Sequence, residues 1–278
     1  MPFLKQKAFL DTQILTRAAS GAISDAQWLA ICKRLSTQYQ YTISFITLVE
    51  ICNGLARGSE EFFDLNRNRL RKLYEPSGRQ FLPPPGEYIR RKVFNLPPGL
   101  KIHQPRELEQ WIRVLLNGVD RTAIKAGAVT LGRLKDINHN YGFDFDLIMK
   151  QQENGKTAYV QRLKELQTGA RRIPSQEQWA ESFLLAINIP PTPEAIATLT
   201  PRLEAEYVSS LAIWKMVIND PQYNLTKNRN DWEDSQQLLY LADPLMNFIT
   251  DDSRIIARVS ASSSIARIIP YETFLGSL

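Results

Sequence analysis

Within the first 82 residues, short apolar runs of strand length alternate with patterns of helical period, and this alternation constrains the fold more than any other feature. Residues 8–11, AFLD, form a run of buried-strand type ending in an acid. Ser24-Asp25 then reads as a cap for a helix over 25–38, with Trp28, Leu29, Ile31, Cys32 and Leu35 as its apolar positions. Tyr41 to Ser44 is a second strand. It leads into a helix carrying Ile46, Leu48, Val49, Cys52 and Leu55, and a further helix spans 59–74. Phe81-Leu82 is a short third strand stopped by prolines. Strands that alternate with helices in this way require crossover connections, which build a parallel sheet.

From about residue 98 to 220 the pattern changes to long helical periods: Glu107 to Val119, Phe145 to Leu166, Gln176 to Ile187 and Pro193 to Ile218. No convincing strand falls there. The α/β pattern resumes after Asn230 with a helix over Trp232 to Ala242 and a strand over Met246 to Thr250. A short helix, Ser253 to Ser260, and a last strand, Ala266 to Pro270, follow. The expected architecture is therefore an α/β domain of residues 1–97 and 221–278, discontinuous in sequence, interrupted by an all-helical insertion of 98–220.

Bulk properties narrow the class. A hydrophobic content of 44% and an aromatic content of 10% are those of an ordinary globular protein. No apolar run approaches the roughly 18 residues of a membrane span. The opening MPFLKQKAFLDTQIL has only short apolar clusters, broken by Lys7 and Asp11, so a signal peptide is not expected. With Cys32 and Cys52 the only cysteines, buried reduced thiols and a cytoplasmic location are expected. The formal charge of +5 is unremarkable alone, but suits a protein that draws a polyanion towards a locally acidic site. Arg90, Arg91, Lys92, Arg171 and Arg172 are the clustered cations best placed for phosphate contact; ordinary solvated surface is the other reading of each.

Five acids fall where strands end or helices begin: Asp11, Glu50, Asp231, Asp234 and Asp252. In a parallel sheet these places gather into a cleft outside the carboxyl ends of the strands. Asp231 and Asp234 lie one turn apart at a helix start. Asp251 and Asp252 directly follow a strand, so their side chains diverge, and Asp252 is the one expected to point inwards. Each pair of carboxylates at about 4 Å and an effective dielectric near 20 repels by about 4 kcal/mol, which a hard cation such as Mg2+ or Mn2+ relieves. Such a centre can activate water against a phosphodiester. The histidines, His103 and His139, and the cysteines lack the spacing of a zinc site. Neither a phosphate-binding Gly-rich loop nor a nucleophile elbow occurs. A strand-end acid also serves as an ordinary helix cap, a second reading that applies to Asp231 in particular.

The joint order of these residues resembles the PIN-domain nucleases. The pattern appears as LDT at 10–12, Ser44-x-x-Thr47-x-x-Glu50, Asp234 and Thr250-x-Asp252, within segments covering residues 7–95 and 229–275. The resemblance implies a three-layer α/β/α sandwich around a parallel sheet, with Asp11, Glu50, Asp234 and Asp252 as metal-site and catalytic acids. It implies Asp231 as an accessory metal ligand and Thr250 and Thr47 as supports. It further implies Mg2+ or Mn2+ as cofactor and a nucleic acid, RNA before DNA, as partner and substrate, with a homo-oligomer left open. Two departures stand out. The large insertion speaks against a small toxin with a cognate antitoxin, and Gln13 occupies a position where Asn or Ser is more usual. Two other readings are a non-catalytic PIN-like module that binds nucleic acid or protein, and a scaffold whose helical middle does the binding.

Overall fold

The computed structural model describes residues 5–57, 59–97, 109, 112, 113, 115–118 and 145–276. The protein is α/β, with one sheet of five strands, all parallel: β1 Lys7–Leu10, β2 Gln40–Ile43, β3 Gln80–Phe81, β4 Met246–Thr250 and β5 Ile268–Pro270. Their spatial order is β3-β2-β1-β4-β5. The chain leaves β1 towards β2 on one side and leaves β4 towards β5 on the other. The topological switch point therefore lies between the adjacent strands β1 and β4, where open parallel sheets bind ligands beyond the carboxyl ends.

The strands read as continuous apolar runs because both faces of the sheet are covered. Ala8 and Leu10 pack with Tyr41, Ile43 and Ile249 in one cluster. It is completed by helices α1 Thr12–Ala19, α2 Asp25–Gln38, α3 Phe45–Arg57 and α4 Glu60–Tyr74. The intervening Phe9 points to the opposite cluster, where its ring stacks on Phe248 at 4.7 Å beside Met246 and Ile268. Tyr88 of α5 Pro85–Lys92 closes that side. Covering on both faces is compatible with a three-layer arrangement.

Helix α2 has the expected bounds, and its start is fixed by a capping box in which Ser24 and Gln27 satisfy each other's backbone N–H groups. Two helices lay unread in the sequence. Helix α1 begins directly after Asp11. Helix α5 begins inside the triple proline, which reads as a stop but supplies the fixed φ of a first helical position.

The described part of the insertion is helical, with α6 Phe145–Gln167, α7 Gln176–Ala186, α8 Pro193–Leu199 and α9 Glu204–Asn219. The single helix expected over Pro193 to Ile218 is broken: Pro201 lacks an N–H, and Thr200–Leu203 tightens into a 3-10 turn. The expected helix over Glu107 to Val119 lies mostly outside the described residues. These helices share cores with the α/β elements. Leu184, Leu199 and Leu203 pack against Ile89, Leu239 and Ala242.

Helix α10, Asp231–Leu238, ends in a 3-10 turn over Leu239–Ala242, so it is shorter than expected. It is seated against α6 by Gly155, where a Cβ would lie 2.7 Å from the Trp232 ring. Helices α11 Ser253–Arg258 and α12 Tyr271–Gly276 flank β5, and the turn over Ser263–Arg267 shortens that strand at its start. Cys32 and Cys52 are free thiols. Among the described residues, no helix is long and apolar enough to cross a membrane.

Candidate functional site

The carboxyl ends of β1 and β4 are joined by one hydroxyl. Thr250 Oγ1, fully buried at the end of β4, donates to Asp11 Oδ2 at 2.5 Å and accepts the backbone N–H of Asp252 at 3.0 Å. Asp11 directly follows β1 and caps α1 by accepting the Gln13 N–H. Asp252 caps α11 through the N–H groups of Arg254 and Ile255. Gln13 reaches across, its Nε2 donating to Asp252 Oδ2 at 3.0 Å. The residue that departs from the expected pattern thus ties the two cap acids together.

Helix α3 brings Glu50 to the same edge. Thr47, fully buried, donates to the Leu10 carbonyl at 3.5 Å, anchoring α3 at the end of β1. The Thr12 hydroxyl donates to Glu50 Oε2 at 2.7 Å. Helix α10 contributes Asp231 and Asp234. Both are held by Arg258 of α11, with Nη1 at 3.0 Å from Asp231 Oδ1 and Nη2 at 3.0 Å from Asp234 Oδ2. The Tyr223 hydroxyl also donates to Asp231.

Burial dominates the electrostatics. It pushes Asp11 up to about 6 against the Thr250 hydrogen bond, and the Asp252 charge adds to the rise. Burial pushes Glu50 up to about 8, with the charges of Glu233 and Asp11 adding. Burial takes Asp234 to about 7 against the pull of Arg258, and Asp11 again raises it. Asp252 goes the other way: burial opposes its charge, but the side-chain and backbone bonds from Arg254 outweigh it and hold the carboxyl below the usual range. Asp11 is thus in electrostatic reach of Asp252, Glu50 and Asp234, three acids from three distant segments.

This donor set fits a hard divalent cation. It is all oxygen, it is partly desolvated, and Glu50 Oε1 and Asp234 Oδ1 make no hydrogen bond to another described residue. Asp11, Glu50, Asp234 and Asp252 would hold the ion, with Asp231 behind. Among the described residues no three such groups already stand at coordinating distance. Part of the countercharge comes from within the chain. Arg258 is almost wholly buried, whereas Arg254 keeps its side chain 65% exposed while its Nη2 meets Asp252 Oδ2 at 3.0 Å.

Sequence reasoning missed Arg258, Arg254 and Glu233. The arginines lie four apart after Asp252, a spacing that puts both on one helix face, but nothing in composition singles them out. Glu233 Oε1 sits 2.7 Å from both Lys156 Nζ and Gln152 Nε2. Asp251 turns away from the site to pair with Arg17, in line with the divergence expected of adjacent acids.

The clustered cations are not brought together with the acids. Arg90 donates to the carbonyls of Ile187 and Asn188 at the end of α7, a helix-end contact. Arg91 and Lys92 line a cavity beside the starts of β1, β2 and β4, and none of the five candidate acids lines it. Arg171 pairs with Glu165 in the loop after α6, and Arg172 beside it is exposed. His103 and His139 lie outside the described residues. Comparison with protein-family models, curated proteins and solved structures gave no match.

Proposed function

We propose that the chain is a PIN-like metal-dependent nuclease of three-layer α/β/α architecture, hydrolysing phosphodiester bonds, in RNA before DNA. One observation carries this reading: Asp11 and Asp252 cap helices directly after the adjacent strands β1 and β4, at the switch point, the charge of Asp11 acts on Glu50 and Asp234, and Asp11, Glu50 and Asp234 are all raised above the usual carboxylate range. A bound Mg2+ or Mn2+ would supply Lewis acidity and an activated water at that place.

The chain's own residues prepare the site. Thr250 and the capped backbone fix the rotamer of Asp11, Gln13 and Arg254 fix Asp252, and Thr12 fixes Glu50. Arg258 holds one oxygen of Asp234, and the other makes no hydrogen bond to another described residue. Arg254, at the rim, is the exposed guanidinium best placed to meet a substrate phosphate. The test is cleavage of single-stranded RNA by the purified full chain with Mg2+ or Mn2+. Asp11→Asn is expected to abolish cleavage while leaving the fold intact, and wild-type rates in that variant contradict the assignment.

A second reading has its own support. Arg258 and Arg254 already offset Asp231, Asp234 and Asp252, as a non-catalytic module binding nucleic acid without metal would need. It predicts RNA binding that is unchanged by chelator and gives no turnover.

A further inference from the structure

A cavity of about 670 Å3 opens beside the starts of β1, β2 and β4 and along β3. Lys5 and Lys7 at the start of β1, Gln40 at the start of β2, Gln80 at the start of β3 and the turn Asp243-Pro244-Leu245 before β4 form its floor. Lys5, Lys7, Gln40 and the Asp243 turn precede or begin strands, whereas Asp11 and Asp252 follow strand ends, and neither of these acids lines the cavity.

Its charge is strongly one-sided. Lys5, Lys7, Arg91, Lys92 and Arg202 line it, against the single carboxylate of Asp243. That carboxylate is already engaged by Lys7 at 2.8 Å, the Tyr88 hydroxyl at 2.7 Å and the Leu245 N–H at 2.9 Å. Arg91 is offset by Glu87 at 3.1 Å. The other three cations have no carboxylate partner among the described residues: Lys5 and Arg202 bond the carbonyls of Ser36 and Ala242, and Lys92 is exposed. Cations of one sign lining one concave volume raise the local concentration of anions.

Phe81, Leu82 and Pro83 contribute an apolar stretch to the lining. The carboxamides of Gln40 and Gln80 make no hydrogen bond to another described residue, so both can donate and accept inside the cavity. The volume lies within the range of small-ligand sites. We propose that this cavity binds a mononucleotide: phosphate oxygens meet Lys5, Lys92 and Arg202, the planar base lies against Phe81 to Pro83, and Gln40 and Gln80 reach its polar edge. The site is independent of the carboxylate cluster and stands whether or not the chain is a nuclease.

Calorimetric titration of the full chain with ADP in EDTA tests it, since chelation removes any metal-bridged binding at the acids. One site is expected, unaffected by Asp11→Asn. Lys92→Glu and Arg202→Ala, both at exposed side chains, are each expected to weaken it about tenfold or more with unchanged circular dichroism, the loss of one charged contact. Adenosine and pyrophosphate are each expected to bind more weakly than ADP. Absence of ADP binding, or ADP binding indifferent to both substitutions, overturns the site. Pyrophosphate binding as tightly as ADP overturns the nucleotide assignment.

Discussion

Arg258 Nη2 stands 3.0 Å from Asp234 Oδ2, inside the cluster of acids where a divalent cation is expected. The pair is nearly buried on the arginine side, and the same guanidinium holds Asp231. Arg258 is therefore an internal countercharge that joins α11 to α10, while Asp234 Oδ1 makes no hydrogen bond to another described residue. Arg258→Met removes it without removing bulk. The variant, unfolded in urea with EDTA, is expected to lose about 3 kcal/mol, because two carboxylates are left without their partner. Mg2+ should recover more stability in the variant than in the wild type. An unchanged urea midpoint would show that the guanidinium offsets nothing.

Stability and metal binding should both follow pH through Asp11, Glu50 and Asp234. Their folded pKa values of about 6, 8 and 7 lie above the ordinary 3.8 to 4.5, so the folded chain binds more protons than the unfolded chain between about pH 4 and 8. The stabilisation carried by these protons is complete below about pH 4 and is lost as pH rises through the folded values. Without metal, the thermal midpoint should therefore gain less, or fall, across this window, and Glu50→Gln should flatten the slope. A cation competes with the protons, so the Mg2+-induced rise in midpoint should be larger at pH 8 than at pH 5. An equal rise at both would separate the metal from these acids.

Gln13 is a positioning residue for Asp252, through the 3.0 Å bond from Nε2. Gln13→Ala should leave the fold unchanged and weaken Mn2+ binding by about tenfold, the usual effect of losing a support to a ligand. Unchanged Mn2+ affinity would show that Arg254 alone fixes Asp252.

Thr250 is buried between Asp11 and the Asp252 N–H, so Thr250→Val should destabilise by about 1–3 kcal/mol in denaturant unfolding, through an acceptor and a donor left unmet. Thr250→Ser, which keeps the hydroxyl, should recover the hydrogen-bond share of that loss. A valine variant as stable as the wild type would show that the hydroxyl contributes nothing between the two strand ends.

β1, β2 and β4 were legible because each is a short apolar run ending at an acid or hydroxyl, and β4 has the expected bounds from Met246 to Thr250. Local chemistry also marked α2, through Ser24 and Gln27. What escaped was either hidden by a residue with two meanings or set by tertiary contact. Pro85 reads as a stop and acts as a helix start, and Asp11 reads as a strand-end acid while also capping α1. Pro201 broke a helix whose apolar period runs on through it. Asp11 and Asp252 stood out in the sequence because each closely follows an apolar strand, whereas Glu50 and Asp234 lie inside helices. Arg258 did not stand out, because its role exists only once α10 and α11 meet. The edge to which Arg91 and Lys92 belong was equally hidden, since it depends on where α5 packs.

The most direct measurement is anomalous diffraction from a crystal soaked in Mn2+. The account expects one strong peak coordinated by carboxylate oxygens of Asp11, Glu50, Asp234 and Asp252, with Arg258 still on Asp234 Oδ2, and no peak in Asp11→Asn. Well-ordered carboxylates with no manganese among them at saturating Mn2+, or a peak held by other residues, would contradict it.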